Sequence, residues 1–135
     1  MATAGVDLSA FNKEELPDTS AMRFGIVVAE WNEEITEALY QGAFDTFIAT
    51  GTPPRQITRI NVPGTFELVF GAKLLCEKDI FDAVIVIGNV IQGETRHFDF
   101  VCDGVTQGVV DLNVRYDTPT IFCVLTDNNM QQAIE

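Results

Sequence analysis

Two short runs of this chain are apolar at almost every position: Phe24-Gly25-Ile26-Val27-Val28-Ala29 and Ala83-Val84-Ile85-Val86-Ile87. A strand with one wet face alternates apolar and polar residues. A strand buried on both faces does not. Two such runs, with helical spacing between them, restrict the chain to a parallel sheet covered on both sides. Ile35, Leu39, Ala43 and Phe47 predict a first helix ending at Gly51, with Asn32 placed to cap its start. Pro53-Pro54 predicts a turn. Ile57, Ile60 and Val62, set among polar residues, predict an edge strand. Pro63-Gly64 opens a second helix through Phe66, Val69, Phe70, Leu74 and Leu75 to Lys78.

The third strand is predicted over Ala83 to Ile91. The third helix follows over Phe100 to Val114, with Val101, Val105, Val109 and Leu112 on one face. Pro119 introduces a fourth strand, Thr120 to Thr126. Asp127 and Asn128 stand ready to cap a helix starting near Asn129. The order βαβαβαβ with right-handed crossovers gives one α/β domain over residues 23–135. It is a three-layer α/β/α arrangement around a four-stranded parallel sheet, flavodoxin-like, in strand order 2-1-3-4. Residues 1–22 show no period, and Pro17 breaks any helix there. They read as an extended arm, either a frayed terminus or a strand added to a neighbouring subunit.

Composition excludes several function classes. The net charge is −12, and eight of the twenty acidic residues lie within Met1 to Glu37, against Lys13 and Arg23 alone. A field of that sign repels nucleic acid and anionic lipid. No apolar run approaches the roughly 20 residues of a membrane helix. The start, Met1-Ala2-Thr3-Ala4-Gly5, lacks the pattern of a secretory signal, so a cytoplasmic protein is expected. Cys76, Cys102 and Cys123 each sit in an apolar pattern and read as core residues. With one histidine and no CxxC, no metal site is expected.

Ligands of open α/β sheets collect at the carboxyl ends of the strands. Four clusters are predicted there: Glu30-Trp31-Asn32; Gly64-Thr65-Phe66-Glu67; Asn89 to His97; and, on the fourth strand, Phe122 and Thr126. Together they offer aromatic faces, an amide, carboxylates and an imidazole, which suits a flat heterocycle with a polar edge. Each has a plainer alternative. A lone histidine is commonly a surface residue; here it stands beside a glycine loop, where proton transfer is useful. Trp31 fits simple packing at a helix start. Phe66 and Phe122, taken singly, fit the core. Glu67 fits complementing a helix dipole. Gly93-Glu94-Thr95 ahead of a helix could hold an anion.

Taken in order, these pieces resemble the lumazine synthase family of riboflavin biosynthesis. The resemblance runs from about Arg23 to Glu135. It is carried by Phe24-Gly25-Ile26-Val27-Val28 with Trp31-Asn32, by Val62-Pro63-Gly64-Thr65-Phe66-Glu67, by Gly88 to Asp99, and by Met130-Gln131-Gln132-Ala133-Ile134-Glu135. The resemblance implies condensation of 5-amino-6-(D-ribitylamino)uracil with 3,4-dihydroxy-2-butanone 4-phosphate, with no metal or organic cofactor. It implies that the pyrimidine stacks on Trp31. Asn32, Thr65, Phe66 and Glu67 hold the ribityl chain and ring edge, and Asn89, Val90 and Ile91 line the pocket. Glu94 and Thr95 contact the phosphate-bearing substrate. His97 transfers protons. Phe122 arrives from the adjacent subunit, because family sites lie at interfaces within a homopentamer or an assembly of pentamers.

The chain differs from the family pattern at Gln92, where arginine is usual, and at Arg96, where a small residue is usual. The resemblance also implies a phosphate-binding arginine and the end of the last helix after Glu135. On that expectation the chain is truncated, and Arg96 is the nearest substitute cation. Two other function classes compete. One is a non-catalytic or impaired assembly or flavin-binding relative of the same fold. The other is a signalling receiver, which needs an aspartate where the third strand here ends in Gly88-Asn89.

Overall fold

The two apolar runs pair with each other. In a computed structural model, which describes residues 10–135, β1 (Phe24–Ala29) lies parallel to β3 (Ala83–Ile91), in register from Phe24 opposite Ala83 to Val28 opposite Ile87. β2 (Ile57–Val62) flanks β1, and β4 (Thr120–Asp127) flanks β3. The sheet order is β2-β1-β3-β4, as the sequence predicts. Every residue of β1 is buried, whereas the edge strands β2 and β4 are partly open. Burial on both faces is the reason β1 carries no alternation.

Helices α2 (Leu68–Cys76) and α3 (His97–Arg115) cover one face of the sheet. There Val27, Ala29, Val84 and Val86 pack against Leu68, Ala72, Leu75, Val105, Val109 and Leu112. Helix α1 (Glu33–Ala49) covers the other face, setting Leu39, Tyr40, Ala43 and Phe47 against Ile26, Val28 and Ile87. Phe24 and Phe47 stack with ring centroids 4.0 Å apart. The last helix, α4, is the short segment Met130–Ile134.

Two glycines of α3 let it approach α2 and the turn just before α2 closely. A Cβ at Gly108 would lie 2.5 Å from Val69 Cγ2, and one at Gly104 would lie 2.7 Å from Phe66 Cε2. The α3 surface is therefore notched where these two side chains meet it.

Several local expectations are corrected. Helix α3 begins at His97, not Phe100, so the histidine is part of the helix. Asn32 occupies the cap position of α1 but its side chain makes no cap bond; its backbone is left-handed, φ 60° and ψ 49°. The cap of α4 is Asn129, which accepts from Gln132 N; Asp127 instead ends β4. Of the cysteines only Cys76 is buried, while Cys102 and Cys123 are half-buried. The predicted arm falls partly on residues 1–9, which lie outside the described residues. From residue 10 to Met22 there is a single 3-10 turn, Lys13–Glu15, and no strand. The stretch after it docks on its own domain. Thr19 Oγ1 accepts from Thr52 Oγ1 at 2.7 Å, and Gln56 Nε2 donates to the carbonyls of Ser20 and Met22.

Candidate active site

The backbone continues pairing past the end of β1. Glu30 N donates to Val62 O and Trp31 N to Pro63 O, at 2.9 and 3.1 Å. This ladder carries Trp31 to the carboxyl edge of the sheet, where its indole is 72% exposed. Trp31 is thus not a core residue. The turn at Asn32 then redirects the chain into α1, and an asparagine tolerates the left-handed conformation better than most residues.

From β2, Pro63-Gly64 leads into a 3-10 turn, Thr65–Glu67. Thr65 is buried, and its hydroxyl donates inward to Asn89 O at 3.4 Å. Phe66 is 59% exposed and rests over Gly104, so it too is not core. From β3 come Asn89, Val90 and Ile91. Asn89 is only 2% exposed, yet every polar atom of its side chain has a partner. It receives a hydrogen bond from Asn32 Nδ2 at 2.9 Å and donates to Asp127 Oδ2 at 2.7 Å. The start of α3 supplies His97, with its backbone N–H donating to Thr95 Oγ1 at 3.4 Å. Its imidazole is exposed and makes no hydrogen bond among the described residues.

These groups enclose a cleft of about 740 Å³, within the size range of small-molecule sites. Its walls bring together Trp31, Asn32, Thr65, Phe66, Glu67, Asn89, Val90, Ile91, Thr95 and His97 from the sequence expectation. Glu94 is exposed and lies outside the lining. Phe122 also lies outside it, and its placement at a carboxyl end is corrected. It is the third residue of β4, opposite Val86, 42% exposed and so not core. Pro63, Gly64, Gly93, Phe98, Phe100 and Val101 line the cleft as well. Pro63, Gly64 and Gly93 belong to the predicted clusters and motifs, whereas Phe98, Phe100 and Val101 were passed over as site residues; once α3 starts at His97, Phe98 and Phe100 follow in its first turn.

Glu67 and His97 are the titratable side chains of the lining among the described residues, and no lysine or arginine belongs to it. Arg96 does not substitute as a cation there. Its Nε lies 3.5 Å from Asp99 Oδ2, and its guanidinium sits 5.9 Å from the centre of the Phe100 ring. The thiols lie outside the lining, and burial pushes Cys76, Cys102 and Cys123 above the usual thiol range. They are poor nucleophiles in that state. What remains is an aromatic-walled cleft with one imidazole, one carboxylate and an amide floor. Such a site can hold a planar polar ligand and move protons on it.

Residues 21–135 match the family model described as 6,7-dimethyl-8-ribityllumazine synthase. A protein of that name from Christiangramia forsetii is 59% identical over 134 residues, spanning 98% of this chain and 80% of its own length. One from Flavobacterium johnsoniae is 61% identical over 135 residues, spanning 100% of this chain and 71% of its own. One from Parabacteroides distasonis is 53% identical over 133 residues, spanning 98% and 83%. With the model matching most of the chain and the cleft built from the motifs that carried the resemblance, the chain belongs to the 6,7-dimethyl-8-ribityllumazine synthase family.

Proposed function

We propose that this chain condenses 5-amino-6-(D-ribitylamino)uracil with 3,4-dihydroxy-2-butanone 4-phosphate, forming 6,7-dimethyl-8-ribityllumazine and releasing phosphate. The observation that carries the proposal is the single imidazole, His97, on the same cleft wall as an aromatic rim and an amide floor. The 5-amino nitrogen attacks the ketone carbon, and loss of water gives an imine. The phosphate leaves with its C–O bonding pair as a neighbouring C–H gives up its proton. The ribityl-bearing nitrogen then closes the ring with loss of water. Protons must leave nitrogen and carbon and arrive on departing oxygen. Imidazole titrates near neutrality and serves both directions.

In this mechanism the pyrimidine stacks on Trp31. Asn32, Thr65, Phe66 and Glu67 meet the ribityl chain and ring edge, and Asn89, Val90 and Ile91 line the pocket. Glu94 and Thr95 meet the phosphate-bearing substrate. Much of the acceleration comes from holding two substrates in register. The functional unit is a homopentamer or an assembly of pentamers, in which Phe122 of one copy completes the cleft of the next; its exposure on an edge strand supports this. A cytoplasmic location is in keeping with three unpaired thiols. Purified chain mixed with both substrates is expected to generate the lumazine chromophore. Binding of the pyrimidine without product would select the alternative, a non-catalytic or impaired assembly or flavin-binding relative.

A further inference from the structure

The direction of the amide floor is set from outside the cleft. Asp127 is absent from the cleft lining, yet its Oδ2 accepts from Asn89 Nδ2 at 2.7 Å. An ionised carboxylate only accepts hydrogen bonds. The NH2 end of Asn89 must therefore face Asp127, where it also reaches Leu125 O at 3.4 Å. Its oxygen must then face the other way, toward Asn32. That oxygen and the Asn89 carbonyl both accept from Asn32 Nδ2, at 2.9 and 3.3 Å. Two acceptors fix the NH2 end of Asn32 in turn. The atom left over on this cleft-lining side chain is Oδ1, which has no hydrogen-bond partner among the described residues and is not sealed from solvent.

We infer that Asp127 is a positioning residue: through Asn89 it orients the Asn32 amide so that the cleft presents an acceptor at this point and selects an N–H or O–H donor of the ligand. Without the carboxylate, Asn89 keeps only its longer bond to Leu125 O and Asn32 is held only through Asn89, so both amides turn over more readily, and a turned Asn32 would offer the ligand a donor. The ligand's identity rests on the proposed function, and here it is the pyrimidine substrate. The left-handed backbone at Asn32 belongs to the same device, since it aims the side chain at β3 and away from the helix it precedes.

The test compares Asp127→Ala with Asp127→Asn, whose amide oxygen can still accept from Asn89. The probe is 6-(D-ribitylamino)uracil, which lacks the reacting 5-amino group. Its Kd is expected to rise about tenfold in Asp127→Ala, the loss of roughly one hydrogen bond. Asp127→Asn should bind within about threefold of the parent. In turnover, KM for the pyrimidine should follow the Kd, while kcat and KM for the phosphate substrate hold nearly steady. Unchanged binding in Asp127→Ala overturns the inference. So does an equal loss for both substrates that Asp127→Asn fails to rescue, because that pattern is general loosening. Nitrogen-15 NMR separates this outcome from failure of the proposed function. If the parent protein binds no pyrimidine, the function falls, and the Asn32 side-chain NH2 decides the relay. Slow hydrogen exchange in the parent that becomes fast in Asp127→Ala supports it; no change overturns it.

Discussion

The floor and the rim of the cleft are built on opposite plans. The floor, Asn89 with Thr65, is buried and its polar atoms are partnered within the chain. The rim, Trp31 with Phe66 and Phe100, is 72%, 59% and 67% exposed. A buried polar group left unpaired is costly, so the floor must be complete before any ligand arrives. Exposed aromatic faces carry no such demand and are free to be covered later. Changes to the floor should therefore cost stability and function together, and changes to the rim should cost function alone.

The largest test of that division is His97→Ala. The imidazole makes no hydrogen bond among the described residues, so Tm should hold while kcat falls by roughly 10²–10⁴-fold, the usual range for a lost proton-transfer group. A matching fall in Tm would break the comparison. Next comes Asn89→Leu, which leaves Asp127 and the Asn32 amide without their partner. It should cost about 2–3 kcal/mol in denaturant unfolding and weaken pyrimidine binding in the same variant. An effect on binding alone would show that the floor is not structural.

Trp31→Ala should weaken pyrimidine binding by about 1 kcal/mol, close to a stacking contact, with unfolding unaltered. The smallest effect serves as a control away from both regions. Arg59 donates to both carboxylate oxygens of Glu37, Nη1 to Oε2 at 2.9 Å and Nη2 to Oε1, and these bonds hold the Glu37 carboxyl below its ordinary value. A lowered folded-state pKa gives stability that is fully present above the ordinary glutamate pKa. It is lost as the pH falls through the lowered value. The pair is 25% and 43% exposed, so solvent screening leaves only a few tenths of a kcal/mol. Glu37→Gln should lower Tm slightly at pH 7 and progressively less as the pH falls below the ordinary glutamate range, with pyrimidine binding untouched at pH 7.

The same division separates what was legible in the sequence from what was not. Continuous apolar runs marked β1 and β3 because burial on both faces leaves no other composition for them. Trp31 and Phe66 of the rim were legible because they are aromatic side chains just beyond strand ends, where a parallel sheet puts its ligands; Phe100, inside the first turn of α3, was not. The floor residues Thr65 and Asn89 were named, but the bonds that hold the floor were not legible. Asn32 and Asp127 stand where caps belong, and local sequence favours capping for both. Their actual partner, Asn89, is distant along the chain, so tertiary contact overrode the local preference. The start of α3 was missed because Arg96, in its cap position, makes no cap bond. Thr95, which receives the His97 N–H, was the available signal.

The notches in α3 have a consequence for the imidazole. Gly104 lies seven residues after His97 on the same helix, about 10 Å along its axis. Phe66 and Val69 seat into that helix at Gly104 and Gly108, as a key seats in a slot. The height of the His97 ring above the sheet is therefore indexed by two absent methyl groups well down the helix. A chain that gained either methyl would ride outward or slide, and its histidine would travel with it while every residue of the cleft kept its identity.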